Sequence, residues 1–202
     1  MSRSGTIIII DDDAPMRDAL EALLQAEDFE TVCWASPEAF LDAPLPRPPA
    51  CVLLDLNMPG LDGLEVQRAL SRRSGLPVIF LSGAASIATT VAAMKGGAVE
   101  FLEKPVRPHL LLHAVNDALA LSGELQAHHE DVKDAERRFA TLTARQREVL
   151  ILASKGLTNG AIAEALEITE RTVKFHRQLA MQSMDVESIT EFARLAEKAE
   201  LG

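Results

Sequence analysis

The sequence predicts an α/β domain built on a doubly wound, parallel five-stranded sheet, followed by a helical linker and a smaller all-α domain. Two observations support this prediction. Short apolar runs alternate with helical patterns over roughly the first 120 residues, which is typical of a parallel sheet covered by helices on both faces. After Thr141 the strand signals stop, and the 202-residue chain is long enough for two small domains with separate cores.

The elements of the first domain, residues 1–121, follow from the spacing of apolar and turn residues. The predicted strands are apolar runs, and they span residues 6–10, 30–34, 50–55, 77–82 and 98–102. The predicted helices follow them in turn and span residues 15–27, 36–42, 63–72, 86–95 and 107–121.

A polar segment without proline, residues 122–141, predicts a helical linker. Residues at alternating spacings of four and three form an a/d seam, namely Leu121, Leu125, His128, Val132, Ala135 and Phe139. Three interpretations stay open: a helix that packs this seam on its own chain, a coiled coil between two chains, and a disordered segment.

The last domain, residues 142–202, is predicted to contain four helices. Each expected N-cap is a residue with a short polar side chain, in order Thr143, Asn159, Thr169 and Ser188. The helices are expected to end near Lys155, Leu166, Met184 and Glu200.

The formal charge of the chain is −10, but it is distributed unevenly. Residues 1–122 carry a net charge of −7, whereas residues 142–202 carry only −1. Binding of nucleic acid over the whole surface is therefore excluded, and any such binding must come from a local patch. No apolar stretch is long enough to cross a bilayer and no signal peptide is apparent, so we expect a cytoplasmic protein without membrane contact.

The two cysteines, Cys33 and Cys51, fall on the second and third predicted strands. In a flavodoxin-like strand order the first strand lies between them, which disfavours a disulfide. We expect two buried, reduced thiols.

Polar side chains at the ends of four predicted strands point to one crevice at the carboxyl edge of the sheet. Asp11–Asp13 follow the first strand, Asp55 ends the third, Ser82 ends the fourth and Lys104 follows the fifth. Such a set suits phosphoryl transfer to a carboxylate beside a hard cation. The alternatives are a Ca²⁺ or structural metal site, or acids that cap helices.

At these residues the sequence resembles the receiver domain of bacterial two-component response regulators, over roughly residues 5–121. The matching motifs are Asp11-Asp12, LDLNMPGLDG around Asp55, Ser82-Gly83 and FLEKP at residues 101–105. The resemblance implies that a sensor histidine kinase phosphorylates Asp55. It also implies that Asp12, Asp55 and the backbone carbonyl of Asn57 bind Mg²⁺, with Asp11 acting nearby or through water. Lys104, ahead of a cis proline, would pair with the phosphoryl oxygens.

The same resemblance implies a switch made of Ser82 and Phe101, in which the hydroxyl moves toward the phosphoryl group and the ring turns inward. The face formed by helix 86–95 and strand 98–102 would then change and dimerise, with Val91 and Lys95 as candidate contacts. Taken alone, Phe101 is also consistent with ordinary core, and Val91 and Lys95 with ordinary helix surface. Ala84 is small, so we expect no side-chain shielding of the phosphoryl group from water at that position.

The last domain carries a second set of motifs: LTARQREVL at 142–150, LTN at 157–159, IA at 162–163 and TERTVKFHR at 169–177. Residues 171–184 contain three Lys or Arg and no acid, which is consistent with a major-groove helix or with a solvated charged helix. The motifs resemble the LuxR/NarL-type helix-turn-helix. By that resemblance helix 170–184 is the recognition helix, and its DNA contacts are Arg171, Thr172, Lys174, His176 and Arg177.

Three positions depart from this helix-turn-helix pattern. Gly160 stands where the family usually has Lys or Arg, and Glu167 and Asp185 stand where Gly is common. We expect these changes to weaken binding by one module, so that useful affinity requires a dimer on two half-sites.

Taken together, the sequence predicts a response regulator of the FixJ/NarL class. Phosphorylation would drive the switch, dimerisation and sequence-specific binding to promoter DNA, with RNA polymerase as a further partner. The chain would not be an enzyme beyond its own phosphoryl transfer and dephosphorylation. Two other classes stay open: a phosphorylation-independent transcription factor that uses the first domain for dimerisation, and a small metal-dependent phosphatase.

Overall fold

The computed structural model of the chain describes residues 5–83 and 86–199. The chain divides into two units, Met1–Gln126 and Ala127–Gly202, and the division falls inside one continuous helix. The segment predicted as a linker is therefore helical as far as Ala140, and it continues the last helix of the first domain without a break.

Five parallel strands form the sheet of the first unit, in the flavodoxin-like order β2-β1-β3-β4-β5. Their bounds are β1 Thr6–Ile10, β2 Glu30–Trp34, β3 Ala50–Asp55, β4 Val78–Ser82 and β5 Glu100–Glu103. β5 begins two residues later than predicted. The N–H of Ala98 donates to the carbonyl of Ala93, so the chain is still closing the preceding helix at that point.

Nine helices complete the described part of the chain. In chain order, the first five helices are α1 Ala14–Gln25, α2 Pro37–Asp42, α3 Gly63–Arg73, α4 Ile87–Lys95 and α5 Pro108–Ala140. The remaining four are α6 Ala144–Ser154, α7 Asn159–Ala165, α8 Glu170–Ser183 and α9 Ile189–Lys198. Among the described residues, no helix has the length and apolarity needed to cross a membrane.

Two cores sandwich the sheet, because the inner strands are apolar on both faces. On one face, side chains such as Ile7 and Ile9 pack against α1 and α5. On the other face, side chains such as Ile8 and Ile10 pack against α2, α3 and α4. All six residues of β3 are buried, and the carboxylate that ends this strand is therefore held on a rigid support.

The two cysteines are free, and β1 lies between their strands as predicted. Cys51 is buried in β3, and burial raises the pKa of its thiol to about 12. The prediction of two buried thiols is wrong for Cys33, which is only partly buried because β2 is an edge strand.

The second unit packs α8 against α6 and α7 around Val173, and α6 against α9 around Phe192. Thr143, Thr169 and Ser188 cap their helices as predicted. The prediction for α7 is wrong by one residue, because the side chain that accepts the Ala161 N–H belongs to Thr158 and not to Asn159. The predicted helix end at Glu200 lies outside the described residues.

The a/d seam of α5 has two different surroundings. Ala135 is buried, and Phe139 is buried in the core of the second unit. Leu121 and Leu125 are exposed, at 38% and 45%. The seam therefore packs on its own chain only at its C-terminal end.

Candidate functional site

An acidic crevice lies at the carboxyl edge of the sheet. β1 and β3 are neighbours, so Asp11, which follows β1, meets Asp55, which ends β3. Carboxylate oxygens of Asp11, Asp12 and Asp55 all lie within 4.8 Å of one another. Asp11 and Asp55 are buried, whereas Asp12 is exposed, so the crevice opens to solvent on the side of Asp12.

Lys104 bridges the two buried acids. Its Nζ lies 2.7 Å from Asp11 Oδ2 and 2.7 Å from Asp55 Oδ1. Burial alone lowers the pKa of Lys104, but the hydrogen bonds and charges of the two carboxylates outweigh it and raise this pKa above its ordinary value. Burial raises the pKa of Asp55, and Lys104 only partly offsets that effect. The Lys104–Pro105 peptide is cis, as the resemblance implied.

Backbone donors hold the two buried carboxylates in place. The N–H of Asp13 donates to Asp11 Oδ1 at 2.9 Å, and the N–H of Asn57 donates to Asp55 Oδ2 at 3.2 Å. Arg17 Nη1 donates to the carbonyl of Asp11 at 2.7 Å. Three carboxylates within reach of one ion, faced by one ammonium, fit a hard divalent cation such as Mg²⁺, which prefers oxygen ligands and keeps several waters.

Ser82 has a buried hydroxyl without a partner. It ends β4 with 1% of its surface exposed, and its Oγ has no hydrogen-bond partner in the described residues. Its carbonyl accepts the N–H of Lys104 at 2.8 Å, which ties the ends of β4 and β5 together. An unpaired buried hydroxyl costs free energy and calls for a functional explanation. Ala84 lies outside the described residues.

Phe101 is half-buried and stacks on Phe80, with ring centroids 6.0 Å apart. The two residues are partners across β4 and β5. Phe80 and Ser82 are two residues apart on β4, so their side chains share one face of the sheet. The two predicted switch residues are thus on neighbouring strands, and Phe80, which shares a sheet face with Ser82, stacks on Phe101.

The outer face of α4 is apolar. Val91 is 45% exposed and Lys95 is exposed, as a dimer contact requires. Ile87 and Met94, which the sequence reasoning missed, are 85% and 43% exposed. Ile87, Val91 and Met94 have the i, i+4, i+7 spacing of one helix face, and Ala93 is the one buried residue of α4.

α8 buries Val173 and Ala180 and exposes an opposite stripe. The stripe residues recur at i, i+3, i+4, i+7 and i+11, and they are Arg171, Lys174, Phe175, Gln178 and Gln182. Arg171 and Lys174 were predicted as DNA contacts. Phe175 and Gln178 were not, because helical spacing places them on the same face as Arg171 but does not show that this face is exposed.

The other three predicted contacts are held within the domain. The hydroxyls of Thr172 and Thr169 lie 2.8 Å apart at the start of α8. His176 is half-buried with its ring edge toward Phe175, and Arg177 Nη1 donates to Asn159 Oδ1 at 2.6 Å. These three side chains are only partly exposed and do not belong to the exposed stripe.

The fold and the crevice define a class: an α/β domain with an acid–lysine site at its sheet edge, followed along the chain by a helical unit with an exposed stripe on α8. Residues 7–116 match the model of the response regulator receiver domain. Residues 140–196 match the model of the luxR family of bacterial regulatory proteins.

Individual relatives match over nearly the whole chain. The transcriptional regulatory protein FixJ of Bradyrhizobium diazoefficiens is 36% identical over 98% of this chain and 98% of its own length. The tetrathionate response regulatory protein TtrR of Salmonella typhimurium is 38% identical over 96% of this chain and 93% of its own. The solved structure of the response regulator StyR covers 97% of this chain and 100% of its own, with 38% identity and a TM-score of 0.86.

The chain therefore belongs to the two-component response regulators that combine a receiver domain with a LuxR-type helix-turn-helix DNA-binding domain. A chain of this family has a kinase and promoter DNA as its partners.

Proposed function

We propose that Asp55 accepts a phosphoryl group from a sensor histidine kinase and that this event controls binding to promoter DNA. The observation that carries the proposal is the Lys104 ammonium, 2.7 Å from both buried carboxylates. An Asp55 oxygen attacks the phosphorus of phosphohistidine, and the P–N bond breaks as the new P–O bond forms. Lys104 then offers its donors to the phosphoryl oxygens.

Asp11, Asp12, Asp55 and the backbone carbonyl of Asn57 would hold Mg²⁺ at this site. When bound, the ion neutralises charge that develops on the transferring phosphoryl group. The mutual proximity of the three carboxylates supports this part of the proposal.

The unpartnered hydroxyl of Ser82 supports the switch. A phosphoryl oxygen on Asp55 supplies the strong acceptor that Ser82 Oγ lacks, and a charge-assisted hydrogen bond then favours a shift of Ser82 toward it. Phe101, now half-exposed against Phe80, turns into the space that Ser82 leaves. The surface of α4 and β5 changes as a result.

In this proposal the phosphorylated chain dimerises through that surface, and the exposed Ile87, Val91 and Met94 support such a contact. Two copies of α8 then engage two half-sites, and the bound dimer acts on RNA polymerase in the cytoplasm. The receiver takes part only in its own phosphoryl transfer and dephosphorylation.

The test is labelling of the full chain with acetyl phosphate and Mg²⁺, followed by intact mass. We expect one phosphoryl group on the wild type and none on Asp55→Asn. Asp18→Asn, which removes an exposed acid of α1, should label like the wild type. Labelling of Asp55→Asn would contradict the assignment of the acceptor.

A second arm measures DNA affinity on duplexes selected from a random pool. Phosphorylation should raise the affinity of the wild type and leave that of Asp55→Asn unchanged. Equal, tight binding by unphosphorylated wild type and by Asp55→Asn would favour the phosphorylation-independent alternative.

A further inference from the structure

Phe175 stands apart from the other phenylalanines of the chain. It is 57% exposed at the centre of the stripe on α8, whereas the other six are buried or half-buried. The ring of the half-buried His176 lies beside it in an edge-to-face arrangement, with centroids 5.9 Å apart. An apolar ring is thus exposed on a helix whose opposite side already supplies Val173 and Ala180 to the core.

The surroundings of Phe175 indicate the kind of surface that covers it. Arg171 and Lys174 lie on the same stripe, and residues 171–183 contain no acid. An apolar ring framed by cations fits a polyanion with an apolar point, rather than an apolar protein groove. In the major groove of DNA the C5 methyl group of thymine is the one apolar substituent that projects from the bases into the groove.

We propose that Phe175 is a specificity-determining residue that contacts a thymine methyl group in the major groove. The inference rests on the proposed function, in which α8 enters that groove. Arg171 and Lys174 would hold the helix against the backbone phosphates and carry little sequence information, whereas the ring of Phe175 gains only where a methyl group faces it. Replacing thymine with any other natural base at that position removes the methyl group that the ring would contact.

The test replaces thymine with deoxyuridine, which removes only this methyl group. Duplexes are first selected from a random pool by the phosphorylated full chain, and each thymine of the selected site is then exchanged in turn. We expect one exchange in each half-site to weaken wild-type binding about three- to fivefold, the effect of losing one buried methyl-sized group. Phe175→Ala should bind thymine and deoxyuridine duplexes equally at that position.

Two variants sharpen the result. Lys174→Ala should lower the dependence of affinity on salt and keep the thymine preference, because it removes a phosphate contact. Phe175→Leu should keep part of the preference, since leucine is also apolar. Equal sensitivity of wild type and Phe175→Ala to every exchange would overturn the inference, and so would no sensitivity to any exchange.

The proposed function fails in a different way. If the phosphorylated wild type selects no sequence at all, α8 is not a reader of DNA, and both proposals fall. If it selects a site whose affinity is indifferent to deoxyuridine, only the role of Phe175 falls. A change in self-association of Phe175→Ala without a change in thymine preference would assign the ring to a second copy of the chain instead.

Discussion

At the scale of single residues, the crevice balances three acids with one ammonium. Asp11 and Asp55 are buried beside each other, and Lys104 makes this arrangement tolerable by bonding both. The balance is incomplete, because burial still raises the pKa of Asp55 above its ordinary value. The ionised form of Asp55 is therefore disfavoured by its surroundings, at the position where we propose that a phosphoryl group is added.

Because the folded protein disfavours the ionised Asp55 carboxylate, we predict that Asp55→Asn is more stable than the wild type in buffer without Mg²⁺. A carboxyl group with a raised pKa in the folded protein costs folding free energy when ionised, and the cost is absent below its unfolded pKa. The variant should gain roughly 1 kcal/mol of unfolding free energy at neutral pH. The gain should vanish as the pH falls toward about 4.

Urea unfolding over a pH series measures the effect, with the exposed Asp18→Asn as the matched control. Mg²⁺ should then raise the stability of the wild type more than that of Asp55→Asn, because it binds the folded acid cluster. A gain that is independent of pH would argue against the ionised carboxylate as its cause.

We predict that substitution of Ser82 affects the response of DNA affinity to phosphorylation without lowering the stability of the fold. Ser82→Ala removes a buried hydroxyl without a partner, so its unfolding free energy should stay equal or rise by up to about 1 kcal/mol. Asp55 should still be labelled, but phosphorylation should no longer raise DNA affinity. Ser82→Thr keeps the hydroxyl and should keep the response, and a full response in Ser82→Ala would exclude the hydroxyl from the switch.

At the scale of elements, the sequence predicted those features that depend on the periodicity of apolar residues and on the polar residues at strand ends. The parallel sheet and the meeting of Asp55 with Lys104 follow from apolar runs that end in polar residues at one edge, whereas the strand order was expected only by analogy with flavodoxin-like sheets. The exposed stripe of α8 was harder to predict, because the motif alone directed attention to His176 and Arg177. Only packing shows that these two face the domain while Phe175 does not.

Backbone conformation also lies beyond simple periodicity. Glu167, in the turn between α7 and α8, has a φ of 54°, and Asp185, after α8, has a φ of 52°. Both lie in the left-handed region that favours glycine, which accounts for the glycines common at these positions in the family the motifs resemble. The fold is kept here at a conformational cost.

Glu167→Gly should therefore raise the unfolding free energy by about 1 kcal/mol, because glycine adopts a positive φ without steric cost. Glu167→Ala is the matched control, since it removes the same exposed charge but keeps the side-chain clash. Thermal unfolding of both variants measures the difference. Equal stabilisation of the two would assign the effect to charge and not to the backbone.

At the scale of the whole molecule, two exposed apolar surfaces are candidates for the contact between two copies of the chain. One is the outer face of α4, with Ile87, Val91 and Met94 exposed. The other is the N-terminal part of the α5 seam, where Leu121 and Leu125 are exposed. The α4 face lies on the helix that follows β4, and in the switch proposed for Ser82 phosphorylation changes this face. The exposed part of the α5 seam does not belong to the surface that the proposed switch changes.

We therefore predict that Val91→Asp weakens dimerisation of the phosphorylated chain by at least roughly tenfold, because it places a charge in the contact. Leu125→Asp, a matched change at an equally exposed apolar residue, should leave dimerisation intact. Sedimentation of each chain with and without acetyl phosphate measures association.

On DNA with two half-sites Val91→Asp should lose cooperative binding and keep its affinity for a single half-site. Loss of the dimer in Leu125→Asp alone would move the contact to a coiled coil of α5.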